Sequence, residues 1–185
     1  MSLNIYLGPM FAGKSSMIHR IVNRYKSINK KVSLVSHTID DRYSAEQYII
    51  NHDLLKIPCD RWTQLMDFTT DSEFMKSQII LVDEAQFFPD LLEFVKLATD
   101  VLGKEVYLFG LDGDTERKPF GQLLECIPLA DSVTKLKALC KLCGDGTEAL
   151  FTFCQTVKKE QVCVGGAEMY MPLCRKHYTT AVKGP

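Results

Sequence analysis

A chain of 185 residues, 46% of them hydrophobic, can bury one good core and carry a small appended module. A formal net charge of −1 and a pI near 6.4 give no general attraction to nucleic acid, and no basic run or arginine-rich tail supplies one locally. No apolar stretch approaches the ~18 residues of a membrane span and no signal-peptide pattern opens the chain, so a soluble, cytoplasmic protein without membrane contact is expected.

The short apolar run Ile5-Tyr6-Leu7 reads as a strand. It leads into Gly8-Pro9-Met10-Phe11-Ala12-Gly13-Lys14-Ser15, and then into an amphipathic stretch with Met17, Ile18, Ile21, Val22, Tyr25 and Ile28 along one face. Strand, glycine loop and helix in that order are what a triphosphate-binding loop requires. The loop amides and the positive end of the helix face the phosphates, Lys14 adds a charge at the outer phosphates, and Ser15 offers its hydroxyl to Mg²⁺.

Val32-Ser33-Leu34-Val35 reads as a second strand. The polar stretch from His37 to about Pro58, with Asp40-Asp41-Arg42-Tyr43-Ser44 inside it, reads as a loop, either functional or a plain surface excursion. Ile79-Ile80-Leu81-Val82 is a continuous apolar run too short for a helix, and so a buried parallel strand; it ends on Asp83-Glu84. Asp83 is placed to hold Mg²⁺ through its water shell opposite Ser15, unless it merely starts a turn. Glu84, directly after it, can accept a proton from an attacking hydroxyl as general base; the alternative is a solvated surface glutamate.

Pro89 opens a helix carrying Leu91, Leu92, Phe94, Val95, Ala98 and Leu102, which Gly103 stops, and Val106 to Gly110 supplies the next strand. Strands alternating with helices imply an α/β fold with a parallel sheet. Leu111 to Gly121, rich in charge and turn residues, is a loop at a strand's carboxyl end, where ligands of open α/β sheets bind.

Seven cysteines make an odd set. Cys140-Lys141-Leu142-Cys143 and Cys174-Arg175-Lys176-His177 form two knuckles, thirty residues apart, that together offer the Cys₃His donors of a tetrahedral zinc site. Unligated buried thiols and a redox pair are the alternatives. Cys59, Cys126, Cys154 and Cys163 lack such pairing and read as core residues. Gly165-Gly166 marks either a close backbone approach to a ligand or an ordinary hairpin end.

With these residues laid out, the chain closely resembles the type II thymidine kinase family, in GPMFAGKS, DDRYS, DEAQFFPD, LDGDTERKPFG, the two knuckles and VGGAEMY, nearly end to end. The resemblance implies a RecA-like P-loop α/β kinase domain over residues 1–137 and a zinc-binding lobe with a lasso-type substrate loop over 138–185. It implies that Glu84 is the general base, with Lys14 acting on the phosphates. Gly8, Pro9, Met10, Phe11, Ala12, Gly13, Lys14 and Ser15, with Arg42, Asp83 and Gln86, match the ATP site. Met10, Phe87, Leu111 and Phe120 match residues enclosing thymidine. Gln161, Val162, Cys163, Val164 and Gly165 fall on the segment that reads the pyrimidine edge, Thr152 on a base-contacting threonine, and Tyr170 on a tyrosine near sugar and base. Cys140, Cys143, Cys174 and His177 match the structural zinc ligands, and Ser15 and Asp83 the Mg²⁺ site. A homotetramer is implied as well.

Three departures stand out. Thr115, in Gly113-Asp114-Thr115-Glu116, occupies the place of an aromatic substrate wall; His177 replaces a cysteine ligand; and Gly144-Asp145-Gly146 is inserted after Cys143. The expected activity is ATP-dependent phosphorylation of thymidine. A RecA-type ATP hydrolase and a zinc-bearing nucleic-acid-binding module are the rival readings.

Overall fold

The computed structural model describes residues 1–39, 48–50, 56–156 and 168–183, with backbone alone at 49, 50 and 183. In chain order the elements are β1 (Ser2–Leu7), α1 (Lys14–Lys26), β2 (Val32–His37), β3 (Tyr48–Ile50), β4 (Lys56–Pro58), β5 (Asp60–Trp62), α2 (Leu65–Phe68), α3 (Ser72–Lys76), β6 (Ile79–Asp83) and α4 (Leu91–Lys96). Then follow β7 (Glu105–Gly110), β8 (Ser132–Lys135), β9 (Ala138–Leu139), β10 (Glu148–Ala149), β11 (Phe151–Cys154), β12 (Tyr170–Leu173) and α5 (Arg175–Lys183).

The expected α/β fold is present as a six-stranded sheet in the order β5-β2-β6-β7-β1-β8, with parallel pairing throughout. All five residues of β6 are buried, which explains its unbroken apolar run. Side chains alternate across a strand, so Ile80 and Val82 join Leu3, Ile5, Val106, Leu108 and Phe94 in one core, while Ile79 and Leu81 join Ile18, Ile21, Val22 and Phe109 in another. The sheet is thus sandwiched, with α1 on one face and α2, α3 and α4 on the other. A third cluster gathers Ala138, Cys140, Ala149, Leu173, Cys174 and Tyr178, and Phe11 and Ala12 of the glycine loop pack against it. That contact brings the C-terminal third of the chain onto the glycine loop.

Several expectations are corrected. The helical stripe does not reach Ile28: α1 ends at Lys26, and Ile28 is 61% exposed in the turn after it, where Lys30 N donates back to Tyr25 O. The polar stretch from His37 to Pro58 is not wholly a loop, for β3 and β4 pair antiparallel within it. The Asp40 to Ser44 segment of that stretch lies outside the described residues. The helix after Pro89 begins at Leu91 and widens to a π-helical turn at Leu97–Val101, where Thr99 Oγ1 donates to Val95 O. β5 and β8 are absent from the hydrophobic pattern because neither is a buried apolar run; every residue of β8, at the sheet's edge, is exposed.

Candidate active site and metal centre

The glycine loop leaves β1 at the carboxyl edge of the sheet. Gly8 has φ +155, and a Cβ there would lie 2.4 Å from Leu136 O, so only glycine lets the chain pass this close to the strand end next door. The helix starts with Met17 N donating to Gly13 O, which sets its amino-terminal, positive end at the glycine loop, where it favours an anion. Lys14 is buried and its Nζ donates to Gly8 O (3.1 Å) and Pro9 O (2.9 Å), curling the side chain back over the loop. Met10 N donates to Thr152 Oγ1 at 3.0 Å, so β11 steadies the loop from outside.

Asp83 and Glu84 stand at the carboxyl end of β6. Asp83 is buried, 6% exposed; Glu84 has φ 50 and ψ 43, a left-handed conformation unusual for a residue with a Cβ. That turn swings the Glu84 side chain away from the strand, where Oε2 accepts from Gln86 Nε2 at 2.6 Å. Gln86, itself buried, uses Oε1 to accept Leu111 N at 3.0 Å. The loop returns to the same residue at its far end: Gly121 has φ +57, and a Cβ on it would lie 2.0 Å from Gln86 O. Between these anchors, Phe120 meets Phe87 edge to face at 5.4 Å between centroids. His37 packs on Phe87 and Phe88, at 6.0 and 5.0 Å. Burial holds its imidazole below the ordinary value, against the opposing effects of the Thr63 backbone and the Asp90 carboxylate.

The four expected metal donors come together. The donor atoms of Cys140, Cys143, Cys174 and His177 all lie within 4.8 Å of one another. Cys143 Sγ and Cys174 Sγ are 3.8 Å apart, far beyond disulfide length, and His177 Nδ1 is 3.4, 3.3 and 3.5 Å from the sulfurs of Cys140, Cys143 and Cys174. A tetrahedral ion with Zn–S of about 2.3 Å and Zn–N of about 2.1 Å requires about 3.8 Å between sulfurs and about 3.6 Å between sulfur and nitrogen. The residues therefore fit a metal such as zinc. Burial opposes ionisation of Cys140, yet the backbone at Cys174, the His177 ring and the backbone at Cys143 and Leu142 together hold its thiol down to about 6. Burial pushes Cys143 up to about 11. The inserted turn is closed by Asp145, whose Oδ1 accepts from Thr147 N at 3.0 Å, and Thr147 O accepts Cys140 N.

The remaining expected residues are placed as follows. Leu111 and Phe120 flank the Gln86 anchor, Thr152 is buried against Met10, and Tyr170 is buried on β12, paired with Cys154. Thr115 sits at the tip of the charged loop, its carbonyl accepting from Tyr178 Oη at 2.6 Å. Arg42 and Gln161 to Gly165 lie outside the described residues. Of the cysteines outside the knuckles, Cys59 and Cys126 are buried as expected, Cys154 is half-buried, and Cys163 lies outside the described residues. Sequence reading passed over Tyr178; an aromatic side chain directly after the last knuckle ligand was the available signal.

Comparison with known proteins gives the same answer along nearly the whole chain. The family described as thymidine kinase matches residues 1–178. Thymidine kinase a of Arabidopsis thaliana is 41% identical over 182 residues, covering 97% of this chain and 75% of that protein. Cytosolic thymidine kinase of Homo sapiens is 36% identical over 182 residues (98% and 75%), and thymidine kinase of Choristoneura fumiferana entomopoxvirus 34% over 181 residues (96% of each). The matched range includes the glycine loop, the Asp83-Glu84 strand end and the four clustered donors, and the chain belongs to the thymidine kinase family.

Proposed function

We propose that this protein is an ATP-dependent thymidine kinase, transferring the γ-phosphoryl group of ATP to the 5′-hydroxyl of thymidine to give dTMP for DNA precursor synthesis. The observation that carries the reading is Glu84, a carboxylate fixed by Gln86 immediately after Asp83, on the sheet edge that also bears the glycine loop. The 5′-oxygen attacks the γ-phosphorus, the bond to the bridging oxygen breaks, ADP leaves, and Glu84 takes the hydroxyl proton. Lys14 and the loop amides at the start of α1 stabilise the charge spreading over the phosphoryl group. Arg42 and Gln86 complete the ATP side of this reading; Met10, Phe87, Leu111, Thr115, Phe120, Thr152, Gln161 to Gly165 and Tyr170 complete the thymidine side. The acceptor's identity is supported by the relatives named thymidine kinase.

Ser15 and the buried carboxylate of Asp83 would hold Mg²⁺, which when bound neutralises charge on the outer phosphates. Zinc on the four clustered donors would be structural, since a full set of protein ligands leaves no open position. In this reading residues 1–137 form the kinase domain and 138–185 the zinc lobe. A homotetramer follows from the resemblance and calls for a solution mass four times that of one chain. A cytoplasmic location is supported by the relative named cytosolic thymidine kinase; among the described residues no helix is long and apolar enough to cross a membrane. The near-neutral charge gives no support to nucleic-acid binding.

The test is phosphoryl transfer from ATP to a panel of nucleosides, with and without Mg²⁺. Thymidine-dependent, Mg²⁺-dependent formation of dTMP is expected. ATP turnover indifferent to nucleoside would replace the kinase with a hydrolase.

A further inference from the structure

Tyr178 follows His177, the last of the four clustered donors, and its ring is buried at 1% exposure against Phe151 and Phe153. Its hydroxyl leaves this packing and donates to Thr115 O at 2.6 Å, across 63 positions of sequence. The Arg117 guanidinium lies over the same ring, 4.7 Å from its centroid. The stretch that Tyr178 grips is itself stiff. Asp114 Oδ1 accepts Glu116 N at 2.8 Å and Lys118 N at 2.9 Å, while Asp114 N donates to Lys118 O at 2.9 Å, so residues 114–118 form a closed turn with Thr115 in it.

The two ends of this segment converge on one residue. Leu111 N donates to Gln86 Oε1 at one end, and Gly121 presses on the Gln86 backbone at the other, with Phe120 against Phe87 just before it. Gln86 in turn holds Glu84. A displacement of the turn at Thr115 therefore changes where Phe120 and Leu111 stand relative to Phe87 and Glu84, while the glycine loop is anchored on β7 and β11, by Gly8 N to Gly110 O and Met10 N to Thr152 Oγ1, rather than on the turn.

We propose that Tyr178 is a positioning residue for the nucleoside side of the reaction, its hydroxyl tying segment 111–121 to the metal-donor lobe so that Leu111 and Phe120 keep their places beside Phe87 and Glu84. The inference rests on the kinase reading given above and deepens it. It also distinguishes two jobs of one side chain: the ring serves the lobe's core, and the hydroxyl serves segment 111–121.

Tyr178→Phe separates them, because it keeps the ring and removes only the hydroxyl, with its bond to Thr115 and its contact with Arg117 in the same segment. Loss of one hydrogen bond of ordinary net strength corresponds to a roughly 3- to 10-fold effect. That rise is expected in KM for thymidine, with KM for ATP within about two-fold of wild type and metal content unchanged. An unchanged thymidine KM, a parallel rise in both KM values, or loss of metal from the variant would each overturn the proposal. Amide hydrogen exchange gives a readout free of activity: exchange at residues 112–118 should quicken in Tyr178→Phe while β1, β6 and β7 stay protected. Unaltered exchange there overturns the inference. A wild-type protein that phosphorylates no nucleoside would sink the kinase reading instead, and the exchange experiment would still decide whether Tyr178 holds the loop.

Discussion

Gln86 Nε2 donates to Glu84 Oε2 at 2.6 Å, two residues away, while Glu84 itself occupies the left-handed region of the backbone at φ 50. The pair turns a strand-end carboxylate into an oriented one. Strain in the backbone at Glu84 would cost of order 1–3 kcal/mol. The hydrogen bond and the burial of Gln86 hold the turn in place.

Replacing Glu84 by Gln keeps size and polarity but removes the proton acceptor. In that variant kcat should fall by ~10²–10⁴ with KM for ATP nearly unchanged. Steady-state kinetics with thymidine and ATP check this, and near-normal turnover would remove Glu84 from the mechanism.

Gly121→Ala tests the close approach of segment 111–121 to Gln86. The new Cβ would overlap Gln86 O, 2.0 Å away, and the residue would have to keep φ +57. Overpacking costs about 1–3 kcal/mol and the left-handed conformation about 1–2 kcal/mol more. Urea unfolding should show a lowered midpoint, and kcat should drop because the overlap displaces the residue that orients Glu84. A midpoint and kcat equal to wild type would contradict the packing described.

Zinc content tests the metal centre. Protein prepared without added zinc should carry about one zinc per chain by elemental analysis; His177→Cys should retain it and His177→Ala should lose it. Metal well below one per chain in fully active protein would show that the three thiols and the His177 imidazole are unligated.

Alkaline stability should depend on Tyr107. Burial first, then hydrogen bonds to Glu105 (2.6 Å) and Tyr25 (2.8 Å), raise its phenol far above the ordinary value of 10.0; Tyr25 is raised by burial and by its own bond to Glu105, against the lowering effect of its bond to Tyr107. The folded chain thus keeps protons that the unfolded chain releases. The stabilisation is complete below about pH 10 and is lost progressively as pH rises above it. Tyr107→Phe should flatten the fall in unfolding free energy measured between pH 9 and 11; an equally steep fall would assign it to other groups.

Order along the chain by itself determined the parts of this protein whose chemistry needs only neighbours. The glycine loop between strand and helix, Asp83-Glu84 closing an apolar run, and two knuckles with four donors are all short-range patterns, because each function requires particular residue types a few positions apart. The central strands were legible for the same reason: a strand buried on both faces must be apolar throughout. Tertiary structure alone decided the rest. β5 and β8 pair through backbone groups that any sequence carries, so their side chains left no signal. Thr152 reaches Met10 across 142 positions and Tyr178 reaches Thr115 across 63. Gln86 looked like one more residue beside the phosphates, and its part in holding Glu84 and Leu111 depends on where a loop 25 positions away returns to the sheet. Such contacts form because chain segments distant in sequence are packed side by side, and local spacing carries no record of that.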